Sequence, residues 1–369
     1  MTSDKSFNPG RPSKTTRTHC LMCSRKPMKN INGFMDNSTM KNTLTLNDTA
    51  FSAQVPDRAV MTRSLQLMRN SLVKADLLFA KTQYLPNLYE KLTRLNILAV
   101  TEQQRLGEHA ERLLIDIESK TALLRQYAQS SATPMDAEDL EDIEAQCQRL
   151  VSNVTATADQ LASAVSGMTQ GIDRQQTAEF VQSLEGDIAK TGIELDASHT
   201  SLATLKDERQ VLSSAIDALE SKGLASIAKD TLITAEKVLS LGMQPPQLAV
   251  IMLALEQMKA TLEKGAAGIN LIAMIKRRDG FRERINTLSQ QLASLDKDKM
   301  GFAQRIELLE CFNAFDEQRA AYVEQYQKIK NTLDSFLDIN TTGTSDDSQR
   351  SMRLIESGRQ LIGYLNRIR

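Results

Sequence analysis

Tryptophan is absent from this chain, aromatic residues make up only 4% of it, and glycine and proline are sparse, at 16 and 8 of 369 residues. A wide globular core built on large rings is thereby excluded, whereas the dominant Ala, Leu, Gln, Glu, Lys and Ser suit long helices with narrow seams. An excess of charge is lacking too: 45 basic and 46 acidic side chains nearly cancel, so no global field argues for a nucleic acid partner. Cys20, Cys23, Cys147 and Cys311 are too few and too scattered to staple a secreted fold. The basic opening stretch, eight Lys/Arg against three Asp in residues 1–50, has no apolar h-region behind it, so any export is expected to use a route other than a classical signal peptide.

Signatures of catalysis and of cofactor binding are missing as well. His109 and His199 stand alone among helical charges, with no nucleophile or carboxylate arranged beside them. His19 precedes the single Cys20-Leu-Met-Cys23 pair, which is half a metal site at most. The Gly265-Ala-Ala-Gly268 run lacks the Lys-Ser/Thr of a phosphate loop. Gly167 and Gly171 are spaced for close helix approach but lie outside an apolar run. Cys147 and Cys311 read as small core hydrophobes. The expectation is a chain with no enzymatic activity, no metal and no cofactor.

What is present is helical periodicity punctuated by proline. Residues 1–50, rich in Ser, Thr, Asn and Lys, show no sustained period and read as a flexible basic segment. A first helix is expected from Asp57 to about Lys81, and a second from about Leu88 to Gln129, its stripe running through Leu92, Leu95, Leu106, Leu113, Ile117 and Leu124. After Pro134, with Asp136 as cap, a third seam passes through Leu140, Ile143, Cys147, Leu150, Val154, Leu161, Val165, Met168 and Ile172. Kinks are expected near Gly167, Gly171, Gly186 and Gly192. Unbroken, residues 136–244 would span roughly 160 Å and the return from Gln247 to Asn340 roughly 140 Å at the rise of a helix. Pro245 and Pro246 join the two, so the pattern predicts a long antiparallel hairpin with the proline doublet at its tip and a last helix over about 348–368.

The tip is the unusual part. No ionisable side chain occurs from Val238 to Leu255, yet the prolines forbid one straight span. The entering arm sets Lys222, Lys229, Asp230, Glu236 and Lys237 on one face, and Leu224, Ile227, Leu232, Val238 and Leu241 on the other. The leaving arm opens apolar all round, with Leu248, Val250, Ile251, Met252, Leu253 and Leu255, and gains charge at Glu256, Lys259, Glu263 and Lys264. It turns apolar again at Ile269, Leu271, Ile272, Met274 and Ile275, before the basic cluster Lys276, Arg277 and Arg278. Full burial of the six apolar residues after the prolines is worth about 1.5 to 3 kcal/mol each, on the order of 10 kcal/mol together. Either protein or lipid must receive them. In lipid, a helix with a charged stripe needs neighbouring copies to enclose a polar lumen, and the basic cluster would stand at headgroup level. In protein, the tip is a docking patch of a structural coiled-coil rod.

The proline-turned "MQPPQLAVIMLAL" hairpin, amphipathic rather than one apolar span, on a helical chain of this size resembles the cytolysin-A-like α-helical pore-forming toxins. Within these it looks most like the B component of the xenorhabdolysin-type binary cytotoxins. The resemblance covers about residues 50–369 and implies an all-α, elongated bundle of about five helices with long coiled-coil-like rods. It divides the chain into a flexible segment at 1–50, a bundle at 51–221 and 277–369, and an insertion hairpin at 222–276. It implies a water-soluble subunit that joins an A component already on the target-cell membrane, heterodimers that close into a ring, and amphipathic helices of B in the membrane-crossing wall.

Overall fold

The computed structural model describes residues 51–129, 137–222, 231–261, 268–341 and 347–369. The expectations placed on residues 1–50, on Asp136, and on Leu224, Ile227, Lys229, Asp230, Glu263 and Lys264 lie outside them. Among the described residues there are eight helices and no strand. These are α1 (Arg58–Thr82), α2 (Pro86–Gln129), α3 (Ala137–Thr169), α4 (Arg174–Ser221), α5 (Ala235–Ser240), α6 (Pro245–Thr261), α7 (Leu271–Thr341) and α8 (Asp347–Ile368).

Local chemistry sets the ends. Asp57 caps α1 by accepting from the amides of Ala59 and Val60, and Gln83 closes it in a left-handed conformation with φ of 48°. Pro86 opens α2, where a missing amide hydrogen costs nothing. α7, with 71 residues, is about 107 Å long at 1.5 Å per residue. It is the spine of the structure, because α1, α3 and α4 all pack along it. The pairings fix direction. Asp57 N donates to Gln325 Oε1, while further up α1 Lys74 faces Glu307 at 3.8 Å. Thr177 of α4 bonds Asn313, and Gly192 lies opposite Lys299. As the number rises on α1 or α4 it falls on α7, so both run antiparallel to it.

Two clusters of buried side chains occupy the ends of this frame. The larger one gathers α1, α2, α3, α8 and the second half of α7 around Phe312, Phe315, Tyr322, Tyr326, Phe336 and Tyr364. Between the clusters, α4 and α7 form a two-stranded coil on Leu195, Leu202 and Leu205 against Ile285, Leu288 and Leu292. The smaller cluster lies where α4 ends and α7 begins.

The structure bears on three expectations about the rods. The interruption expected near Gly167 and Gly171 is present: α3 stops at Thr169 and α4 restarts at Arg174, so residues 136–244 are not one helix. Arg319 reaches into this break and donates to the carbonyls of Met168 and Thr169, while Asp316 accepts from Ile172 N and pairs with both Arg319 and Arg174. Gly171 is required there, because any Cβ would collide with the Arg319 guanidinium and the Asp316 carboxylate. Asp173 then caps α4 through the amides of Gln175 and Gln176. At Gly186 and Gly192, by contrast, the chain is not interrupted: α4 is one continuous helix through both, since packing along α7 outweighs their cost of about 1 kcal/mol each in a helix. Finally, the return rod is not continuous from Gln247, for α6 ends at Thr261 and α7 starts at Leu271.

Candidate membrane-active tip

α4 ends at Ser221, and the residues that follow return to the same region twice before α7 leaves it. Residues 231–234 lie outside any helix, and Ile233 N donates to Ile269 O at 2.8 Å, tying the segments before α5 and before α7 together. Thr234 caps the short α5 through Lys237 N. Gly242, with φ of +59°, makes the turn out of α5 in a conformation that L side chains rarely adopt. Pro245 and Pro246 then occupy the first turn of α6, so the doublet starts a helix instead of breaking one.

α6 lies back against α4. Ile251, Ala254, Leu255 and Met258 pack with Leu212, Ala215, Ile216 and Leu219, and Val238, Ile269, Leu271, Met274 and Phe281 complete the cluster. Beside it a cleft of about 150 Å³ is lined by Glu208 and Leu212 of α4, Met258 of α6, and Arg277 and Phe281 of α7. The Arg277 guanidinium stands 4.5 Å from the Phe281 ring centre, a cation–π contact.

The residues singled out from the sequence thus separate. Val238, Ile251, Leu255, Ile269, Leu271 and Met274 are buried; Leu241, Leu248, Val250, Ile272 and Ile275 are half-buried. Leu232, Pro245, Pro246, Met252 and Leu253 are exposed, Met252 at 38% and Leu253 at 45%. The expectation that α6 is covered on every side therefore does not describe this structure: its outer face meets water. Lys222, Glu236, Lys237, Glu256, Lys259 and Lys276 are all exposed, whereas Arg277 is held on Phe281 and Arg278 pairs with Asp279 at 3.1 Å. Among the described residues, no helix is long and apolar enough to cross a membrane, and no three His, Cys, Asp or Glu side chains group to hold a metal.

Sequence reasoning missed two polar groups in the larger core. One is the Asp316–Arg319 pair at the α3–α4 break; its i, i+3 spacing looks like any exposed helical ion pair, and only Gly171 and Asp173 in the preceding loop hinted at a helix stop and start. The other is Glu102, buried beside Tyr322 and Tyr326, whose hydroxyls are pushed well up by that burial and stay protonated.

The arrangement defines a class of fold, all-α, with helices on a long spine, a ring-filled core at one end and an apolar tip folded back at the other. XaxB from Xenorhabdus nematophila superposes with a TM-score of 0.65 at 15% identity, over 82% of this chain and 95% of that one. PaxB from Photorhabdus luminescens gives 0.62 at 15% identity, over 85% and 96%. A chain of the XaxAB pore complex from X. nematophila gives 0.51 at 14% identity, over 83% and 98%. No family model and no curated protein matches the sequence. At such identities the likeness is one of fold.

Proposed function

We propose that this chain is the B subunit of a two-component pore-forming cytotoxin, and that residues 222–276 are the element it carries into a target membrane. The observation that carries the reading is the folded-back α6. Ile251 and Leu255 are buried against α4, while Met252 and Leu253 on the same helix face water. Burial of the first two holds α6 down by about 3 to 6 kcal/mol. The outward pair, with the half-buried Leu248 and Val250, holds a comparable gain that only another apolar environment can supply. A helix so divided is bistable between a folded-back and an inserted position.

In this reading the chain is released as a water-soluble subunit and joins an A component at the target-cell membrane. Heterodimers close into a ring, in which the apolar faces meet acyl chains and the stripe that includes Glu236, Lys237, Glu256 and Lys259 faces the lumen, hidden from lipid by its neighbours. Lys276, Arg277 and Arg278 then stand near anionic headgroups, which requires Arg277 to leave Phe281 and Arg278 to leave Asp279.

Dye release from liposomes tests this. The chain with its A component releases dye, and Val250→Asp with Leu253→Asp abolishes release while far-UV circular dichroism stays helical, since Leu253 is exposed and Val250 only half-buried. Undiminished release by the double variant contradicts the assignment.

A further inference from the structure

Outside the tip, two helices present unpartnered faces at the same height on the spine. Along α1, Val73 and Leu77 are 61% and 63% exposed, one helical turn apart. Basic residues surround them: α1 carries Arg58, Arg63, Arg69, Lys74 and Lys81 against Asp76 alone, and Lys74 makes only a long 3.8 Å pair with Glu307. Along α4, the side turned away from α7 shows Gly186, Ala189 and the 71%-exposed Ile193, and a Cβ on Gly186 would meet nothing. Its surroundings are acidic, with Glu179, Glu185, Asp187, Glu194 and Asp196 against Arg174 and Lys190 between residues 174 and 196. The two faces are opposite in charge, and one projects large apolar side chains where the other is shallow.

Their positions along α7 coincide. Lys74 lies at Glu307 and Ser64 at Gln318, while Thr177 lies at Asn313 and Gly192 at Lys299. Arg69 to Lys81 and Glu179 to Glu194 therefore both flank the stretch of α7 from about Met300 to Phe312. Each helix is packed on α7 by its other side, so the two faces point away from the spine. They can meet between neighbouring copies standing side by side with no shift along the axis. A heterologous contact closes into a ring where its rotation closes, and the absence of axial shift removes the rise that would make it a helical filament.

We infer that the outer face of α1 docks on the outer face of α4 of a second copy of this chain, Leu77 seating near Gly186 and Ala189, with Arg69 and Lys74 steering toward Glu179 and Glu185. The inference rests on the preceding reading only in that the chain assembles into a ring. Thiol cross-linking of the full chain tests it, in a Cys20→Ser, Cys23→Ser background and on phosphatidylcholine vesicles with the A component. Mixed Leu77→Cys and Gly186→Cys variants give a covalent dimer that neither gives alone, and the chain carrying both gives a ladder. Arg69→Glu with Lys74→Glu lowers the yield about tenfold, and Glu179→Lys with Glu185→Lys in the partner copy restores it. Dimers from either single variant, a mixture that yields no more than Leu77→Cys with Met352→Cys, or cross-links to the A component alone would overturn it. A ladder without lipid labelling of residues 248–275 upholds the lateral contact and removes the insertion reading; labelling without a mixed dimer does the reverse.

Discussion

The two buried clusters differ in kind. The body core is filled by rings, with Tyr322, Tyr326, Tyr364, Phe312, Phe315 and Phe336 almost without solvent contact, and it contains polar pairs such as Asp316–Arg319 and Asn340–Ser357. The tip cluster has one ring, Phe281, and is otherwise Leu, Ile, Val, Met and Ala; none of the buried polar residues lies in it. Buried hydrogen-bonded pairs tolerate few alternative arrangements, because separating them leaves an unpaired group in an apolar surrounding. Aliphatic contacts are not directional, so the same residues can be satisfied by another apolar partner. One end is thus tied to a single arrangement by directional contacts, while the other is held by contacts that have no direction.

Substitutions sharpen that contrast, beginning with the largest expected effect. Phe312→Ala or Phe336→Ala in the body costs about 3–5 kcal/mol and unfolds the whole chain early, visible as a large drop in Tm. Arg319→Met leaves the buried Asp316 carboxylate at the α3–α4 break with only Arg174 and the Ile172 amide as partners. This also costs about 3–5 kcal/mol, and Asp316→Asn with Arg319→Met together recover part of it in chemical denaturation. If Arg319→Met is neutral, the clamp is not what holds α3 and α4 apart.

Leu255→Ala at the tip costs about 2–5 kcal/mol of local packing, but the loss is expected in the wrong place for global unfolding. Amide hydrogen exchange should quicken through α5 and α6 while the body half of α7 keeps its protection. Equal acceleration at Tyr322 and Tyr326 would show that the clusters unfold as one and would erase the distinction.

The smallest effect is that of acid. Burial first, and then the Arg112 charge, hold the His109 imidazole below its ordinary value of 6.5. The folded chain thus binds that proton less readily than the unfolded chain. The stabilisation is fully present above pH 6.5 and fades as the pH falls below it. A slight loss of body stability toward pH 5, reduced in His109→Gln and absent from α6 exchange, is the expected result.

The seams were the most legible part of the sequence. Cys147, Leu150, Val154 and Leu161 recur at helical spacing and are buried where that spacing puts them, as are Leu92, Leu106 and Ile117. The proline doublet told that the chain must turn near 245, and it does, though at a helix start. The interruption near Gly171 was expected from its glycines; what spacing could not tell was how it is held, for Arg319, 148 residues downstream, caps the carbonyls of Met168 and Thr169. The fold-back of α6 was hidden for a similar reason: its apolar surface is plain in sequence, but the partner, Leu212 to Leu219 of α4, is set by topology.

The most direct measurement is lipid-phase photolabelling of the membrane-bound assembly, using a probe anchored among the acyl chains and read out by peptide mapping. The account predicts label on residues 248–275, strongest at Met252 and Leu253, and none on Phe312 or Tyr322. Label absent from 248–275 while the assembly still releases dye would contradict it.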